Sequence, residues 1–212
     1  EFFFDLGYKK INFFTDVSNY ISYETGQPTH CYKSTSVNQP INLNFLKKSY
    51  KFNTLLDKQI VLEEGDLVFC DKNDKVINLA GVVGGEKTAC EKNTTSVIVE
   101  CANFNPEIII GKSLKYDISS DAAYKFERNT DPLCHNYVLR RFLSVVESHA
   151  KILDVKLFSE NFLNYSKKYL TYDVKIINKI LGTNISKDKC SEYLNKLGFK
   201  INNNTIEVPS YR

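Results

Sequence analysis

The chain contains no methionine, not even at its first position, and is therefore expected to be a segment of a longer protein. No apolar run approaches the ~18–20 residues of a membrane span. The longest runs, such as residues 108–110, are strand-sized. Glu1-Phe2-Phe3-Phe4-Asp5 lacks both the basic start and the small-residue cleavage site of a secretory signal. The six cysteines, Cys31, Cys70, Cys90, Cys101, Cys134 and Cys190, form no CxxC pair and follow no regular spacing. That argues against a zinc site and for reduced, mostly buried thiols. Neither sign of charge is in large excess: 28 Lys+Arg against 25 Asp+Glu give +3. A strongly basic, histone-like protein is excluded, whereas a local basic patch is not. Internal repeats are absent.

What is there is ordinary globular material: 212 residues, 42% hydrophobic and 25% charged. A chain of this length buries about 70% of its unfolded surface and needs no disulfide or metal to fold. Residues 10–26 read as a helix, with Ile11, Phe14, Val17 and Ile21 on one face and Asp16 and Asn19 off it. Gly26-Gln27-Pro28 ends it, and residues 26–32 read as a loop or the start of a strand. The middle of the chain is strand-rich. Residues 41–45, 59–62, 67–70, 76–79 and 96–101 carry strand patterns, several separated by turn-formers such as Glu64-Gly65-Asp66. A short helix is expected from Asn105-Pro106 to about 114. Ser120 is the expected cap of the next helix. A long helix follows over about 132–150, with Tyr137, Leu139, Phe142, Leu143 and Val146 as its buried side. Composition shifts toward Lys, Asn and Ser over 151–167, which places a linker at 158–167. Residues 168–212 then read β-α-α-β-β, with a hairpin around Asn202-Asn203-Asn204. Strands and helices mix without strict alternation, so the fold class is α+β.

Several residues invite a chemical reading. The turn Ala80-Gly81-Val82-Val83-Gly84-Gly85 is neither GxGxxG nor GxxxxGK[ST], which sets aside dinucleotide and P-loop binding. It is either a tight turn approached by another backbone or a pocket wall left open by missing side chains. His30 is either structural or catalytic. Glu100, closing an apolar strand, is either a solvated strand end or a placed hydrogen-bond acceptor. Ser120, His30 and Asp121 do not make a serine triad, because no nucleophile-elbow glycines flank Ser120. Arg140, Arg141, Lys151, Lys156, Lys167 and Lys168, with Tyr165 and Tyr169 among them, form a locally basic stretch: a solvated face, or a contact for an RNA backbone.

Four strings occur in order: Gly26-Gln27-Pro28-Thr29-His30, Leu79-Ala80-Gly81-Val82-Val83-Gly84-Gly85, Thr95-Ser96-Val97-Ile98-Val99-Glu100-Cys101-Ala102-Asn103-Phe104, and Ser120-Asp121-Ala122-Ala123-Tyr124-Lys125-Phe126-Glu127-Arg128-Asn129-Thr130-Asp131-Pro132. Together they resemble the β subunit of bacterial phenylalanyl-tRNA synthetases. The resemblance implies a B3/B4 tRNA-editing domain over 1–157, a linker over 158–167 and a partial B5 domain over 168–212. It further implies a parent enzyme of two α and two β subunits that charges tRNA(Phe) with phenylalanine, using ATP and magnesium at a site in the α subunit. This stretch would need no cofactor or metal of its own. It would meet the tRNA 3′ end in the cytoplasm and hydrolyse tyrosine wrongly attached to tRNA(Phe), so that by itself it is at most an aminoacyl-tRNA ester hydrolase.

Carried over by position, Glu100 matches the glutamate that accepts the tyrosine hydroxyl, and Ala122 the small residue that keeps the pocket open. Ser120 keeps the hydroxyl of a usual threonine. His30 and Asn19 match residues near the scissile ester, Gly81 and Gly84 match pocket-wall glycines, and Pro28 belongs to the same wall. No residue matches a covalent nucleophile, so the implied mechanism is attack by a positioned water. Two departures stand out. The usual His-Ala-Phe-Asp is His30-Cys31-Tyr32-Lys33, which puts a base where an acid is usual. The usual Leu-Asp-Gly is Leu56-Asp57-Lys58. A non-catalytic structural or RNA-docking module is the alternative reading.

Overall fold

The computed structural model describes residues 5, 7, 9–160 and 165–212. The chain divides into two compact units, residues 1–130 with 134–156, and residues 131–133 with 157–212. The expected linker at 158–167 includes residues 161–164, which lie outside the described residues. In chain order the first unit comprises α1 (Phe13–Thr25), β1 (His30–Lys33), β2 (Asn42–Phe45), β3 (Tyr50–Asn53), β4 (Gln59–Leu62), β5 (Leu67–Cys70), β6 (Val76–Leu79), β7 (Val83–Gly84), β8 (Val97–Glu100), α2 (Pro106–Ile109), α3 (Lys112–Tyr116), α4 (Asp121–Phe126) and α5 (His135–Glu147). The class is α+β, as the unalternating pattern implies.

Helix α1 begins at Asn12, whose side chain accepts the Thr15 N–H at 3.0 Å. Because the cap falls there, Ile11 lies outside the helix and is exposed rather than part of its apolar stripe. Gly26 ends the helix in the left-handed region at φ 76°. Val17 and Ile21, one turn apart, face Val138 and Phe142 of α5 in one cluster. Full burial of each such side chain stabilises by about 1.5–3 kcal/mol. The buried side of α5 is Val138, Phe142 and Val146, at strict steps of four. Tyr137, expected inside, is exposed because it sits a quarter-turn off that stripe, and Leu139 and Leu143 are only partly buried. The Arg141 guanidinium grips the Glu24 carboxylate at 2.8 Å through each of two nitrogens, pinning α5 to α1. It is thus an intramolecular partner rather than a free basic group.

Strands β1 and β8 form a two-stranded antiparallel sheet, with Cys31 opposite Val99 and Tyr32 opposite Ile98. Its two faces serve different cores, because side chains alternate along a strand. Cys31 and Val99 pack into the α1–α5 cluster. Tyr32 and Ile98 pack with Ile77 of β6 on the other side. A four-stranded sheet runs β2-β5-β6-β7, and β3 with β4 makes a hairpin bridged to it through Thr54 and Gly85. The largest core lies between these strands and α2–α4, around Phe52, Leu62, Val68, Leu79, Phe104 and Phe126.

Several local expectations are refined. The alternation at 41–45 produces β2, yet the strand is exposed throughout, since it edges its sheet. The helix expected from 105 to 114 is two helices, broken at Gly111 (φ 80°). Strand β3, Tyr50–Asn53, was hidden by its Lys and Asn residues.

The second unit comprises β9 (Lys168–Thr171), α6 (Val174–Leu181), α7 (Lys187–Lys196), β10 (Lys200–Asn202) and β11 (Thr205–Val208). Its sheet runs β10-β11-β9, antiparallel throughout. Asp173 and Ser186 cap the two helices, and Tyr172, Cys190 and Ile206 are its buried centre. Among the described residues no helix is long and apolar enough to cross a membrane.

Candidate active site

His30 opens β1 and Glu100 closes β8, and the two are direct cross-strand partners. Partners on one rung project to the same face. Tyr32 lies two residues further along β1, and so shares that face. The ring of His30 meets the ring of Tyr32 edge-on, 4.5 Å between centroids. Three side chains separated by up to 70 positions in sequence thus converge on one side of a two-stranded ribbon.

The electrostatics of the pair are set by burial. Burial lowers the His30 pKa to about 4, so the imidazole is neutral at physiological pH. Among the described residues its Nε2 has no hydrogen-bond partner. Burial also raises the Glu100 pKa to about 7, against the opposing effect of a hydrogen bond from Tyr32. That bond, from the Tyr32 hydroxyl to Oε2, is 2.5 Å long. The Asn78 Nδ2 in turn donates to the Tyr32 hydroxyl at 2.9 Å. Burial first, and then the Glu100 charge, push the Tyr32 phenol well above its ordinary pKa. The phenol stays protonated and donates.

The glycine turn divides in its roles. Gly84 faces the site: a Cβ there would lie 2.4 Å from Cε1 and 2.6 Å from Nε2 of His30. Gly81 turns the other way, at φ 71°, and meets Ile109 and Phe104 of the core. Ser120 caps α4, accepting from Ala123 N at 3.1 Å and donating to Val82 O at 2.6 Å. Its hydroxyl therefore holds the glycine turn to α4. Ala122 is partly buried against the main core. Asn19 sits partly exposed on α1, and Pro28 is buried just ahead of His30.

Residues not singled out from the sequence complete the frame. Gln27 is 1% exposed, and its Nε2 donates to both Pro28 O at 3.0 Å and Ala102 O at 2.7 Å. It ties the approach to β1 to the exit from β8. Ser18 bonds Thr29 O at 2.6 Å, fastening α1 to the same loop. Asn78 carried a visible signal, as the polar residue inside the apolar string Val76-Ile77-Asn78-Leu79. Lys33, expected to alter the charge beside the site, points to the opposite face of β1 and pairs with Glu91 at 2.9 Å. Lys58 pairs with Asp117. A surface hollow of about 140 Å³ lies elsewhere, lined by Tyr50, Phe52, Lys75 and Lys87 among others, and includes neither His30 nor Glu100. Among the described residues no disulfide joins the cysteines. Among the described residues no group of His, Cys, Asp and Glu is arranged to hold a metal ion.

The chain belongs to the B3/4 domain family, which matches residues 3–151. The tRNA synthetase B5 domain matches residues 170–212. The phenylalanine–tRNA ligase beta subunit of Francisella tularensis is 31% identical over 214 residues, covering 97% of this chain and 27% of that protein. The corresponding subunits of Colwellia psychrerythraea and Chlamydia trachomatis are each 30% identical, over 97% and 98% of this chain. The chain spans about a quarter of the length of these curated relatives. An N-terminal fragment of the phenylalanyl-tRNA synthetase beta subunit from Pyrococcus horikoshii aligns over 94% of this chain and 60% of its own, with 12% identity and a TM-score of 0.44.

Proposed function

We propose that this chain is the editing part of a phenylalanine–tRNA ligase β subunit and hydrolyses tyrosine mischarged onto tRNA(Phe). The observation that carries the reading is the His30–Glu100 rung. It joins a neutral imidazole with an unpartnered Nε2 to a carboxylate on the same face. Glu100 serves as acceptor for the hydroxyl that distinguishes tyrosine from phenylalanine, and discrimination on a hydrogen bond is the kind a protein site makes well. Gly84 leaves the space in which His30 stands.

With a pKa of about 4, His30 is a weak base at neutral pH. Its unprotonated nitrogen accepts a hydrogen bond from the attacking water and fixes its direction; the water oxygen bonds to the ester carbonyl carbon, the bond to the tRNA's terminal oxygen breaks, and that leaving oxygen takes up a proton. Positioning of this kind contributes several kcal/mol. In this reading, residues 1–157 are the editing domain, 158–167 a linker and 168–212 a partial B5 domain. The partners are the tRNA(Phe) 3′ end and the α subunits of a heterotetramer in the cytoplasm. ATP and magnesium serve aminoacylation in the parent enzyme, at a site in its α subunit.

The test is deacylation of tyrosyl-tRNA(Phe) by the full heterotetramer, as wild type, His30→Ala and Glu100→Gln. Wild type is expected to clear the mischarged tRNA, and both variants to slow clearance tenfold or more while charging phenylalanine normally. If wild type leaves the ester intact while charging phenylalanine, the segment is a scaffold and the reading fails.

A further inference from the structure

The site already contains a tyrosine hydroxyl of its own. Tyr32 is 1% exposed, and its phenol ends on Oε2 of Glu100. Asn78 fixes the direction of that bond. Its amide donates to the phenol oxygen, so the single phenolic proton is directed to the carboxylate. The arrangement follows from strand geometry. Residue 32 is diagonal to residue 100 in the ribbon, within reach of a long side chain. Ile77 and Ile98 pack around its ring, and His30 abuts it edge-on. The ring is held on several sides, so its hydroxyl is a fixed occupant of Glu100.

We propose that Tyr32 is a specificity-determining residue that sets, by competition for Glu100, how strongly the site prefers tyrosyl over phenylalanyl esters. The proposal rests on the editing reading above. An incoming hydroxyl must either displace the Tyr32 phenol or use the other oxygen of a carboxylate whose charge is already shared. Either way it gains less than it would from a free carboxylate. A chain with phenylalanine at this position, otherwise alike, discriminates better. A hydrogen bond to a charged group supports a difference of about tenfold.

The experiment uses the full β subunit assembled with its α partner. Wild type, Tyr32→Phe and Tyr32→Phe with Glu100→Ala are compared on tyrosyl-tRNA(Phe) and phenylalanyl-tRNA(Phe). The same assemblies are titrated with two non-hydrolysable probes, the 3′-amides of 3′-amino-3′-deoxyadenosine with tyrosine and with phenylalanine. Tyr32→Phe is expected to raise the tyrosine-to-phenylalanine ratio about tenfold, in rate and in probe affinity, and the added Glu100→Ala to abolish the gain. An unchanged or lower ratio in Tyr32→Phe overturns the proposal while leaving the editing reading intact, provided wild type clears tyrosyl-tRNA. If no assembly deacylates, the editing reading fails on the rates, and an unchanged probe ratio overturns the role of Tyr32 as well. A fluorinated tyrosine at position 32, a stronger donor of unaltered fold, must shift the ratio the opposite way; a ratio that stays put overturns the competition.

Discussion

Gly84 stands against the His30 ring so closely that a single added carbon would fall 2.6 Å from Nε2 and 2.9 Å from Leu55 Cδ2. Its φ lies outside the left-handed region, so the need for glycine here is one of space rather than of backbone freedom. Gly84→Ala is therefore expected to push His30 off its rung. The cost in stability is about 1–3 kcal/mol, the usual price of overpacking. Thermal unfolding measures that loss, and deacylation should fall further than the stability change explains, since a misplaced group loses its positioning advantage. A variant that keeps both stability and rate would mean that the ring has room to move.

Gln27 offers the opposite case, a residue that touches no reacting group and yet frames both. Its amide holds the Pro28 and Ala102 carbonyls, two residues before His30 and two after Glu100. Gln27→Leu keeps the bulk and removes both bonds, leaving two backbone acceptors without that donor. The expected loss is about 1–3 kcal/mol. Hydrogen exchange should locate the loosening at the Pro28 and Ala102 junctions, while the α6–α7 unit keeps its protection.

Much of this arrangement was legible in the sequence. The strands at 59–62, 67–70 and 76–79 were plain, because short apolar runs between turn-formers leave few alternatives. His30 and Glu100 were identified as separate candidates; their pairing was not, because register between strands 70 residues apart is a tertiary fact. Tyr32 was noticed only as a departure from a pattern. Its bearing on Glu100 needed the diagonal contact across the ribbon. On the buried face of α5, Phe142 and Val146 were legible, but Tyr137 was taken in place of Val138, since neighbouring apolar positions offer two stripes and only Val17 and Ile21 of α1 decide between them.

Away from the site, Asp66 is fully buried and bonded to the Lys112 ammonium, the Tyr116 hydroxyl and, at 2.9 Å, the Glu63 N–H. Burial raises its pKa, but the hydrogen bonds from Lys112 and Tyr116 outweigh this and leave it lowered. Asp66→Ala strands a half-buried ammonium and a buried phenol, and is expected to cost about 3–5 kcal/mol. Since this cluster joins the β4–β5 turn to α3, the tyrosine-to-phenylalanine ratio should not move. A denaturant curve and the two deacylation rates check both halves, and a changed ratio would tie this cluster to the site.

The His30–Glu100 pair also predicts how stability follows pH. His30 falls from 6.5 to about 4 on folding, and Glu100 rises from 4.5 to about 7. Between pH 4 and 6.5 the unfolded chain binds more protons at His30, so this residue makes stability grow as pH rises. Between pH 4.5 and 7 the folded chain holds the extra proton at Glu100, so this residue makes stability decline as pH rises. From 4.5 to 6.5 the two slopes oppose and largely cancel each other. Each single variant uncovers the other group. Relative to wild type, the urea midpoint of Glu100→Gln should climb from pH 4.5 to 7, where the decline due to Glu100 is gone, and that of His30→Leu should fall from pH 4 to 6.5, where the rise due to His30 is gone. The other carboxylates add a slope common to all three proteins, which the comparison removes. Two variants that track wild type across this range would show that His30 and Glu100 titrate as exposed groups.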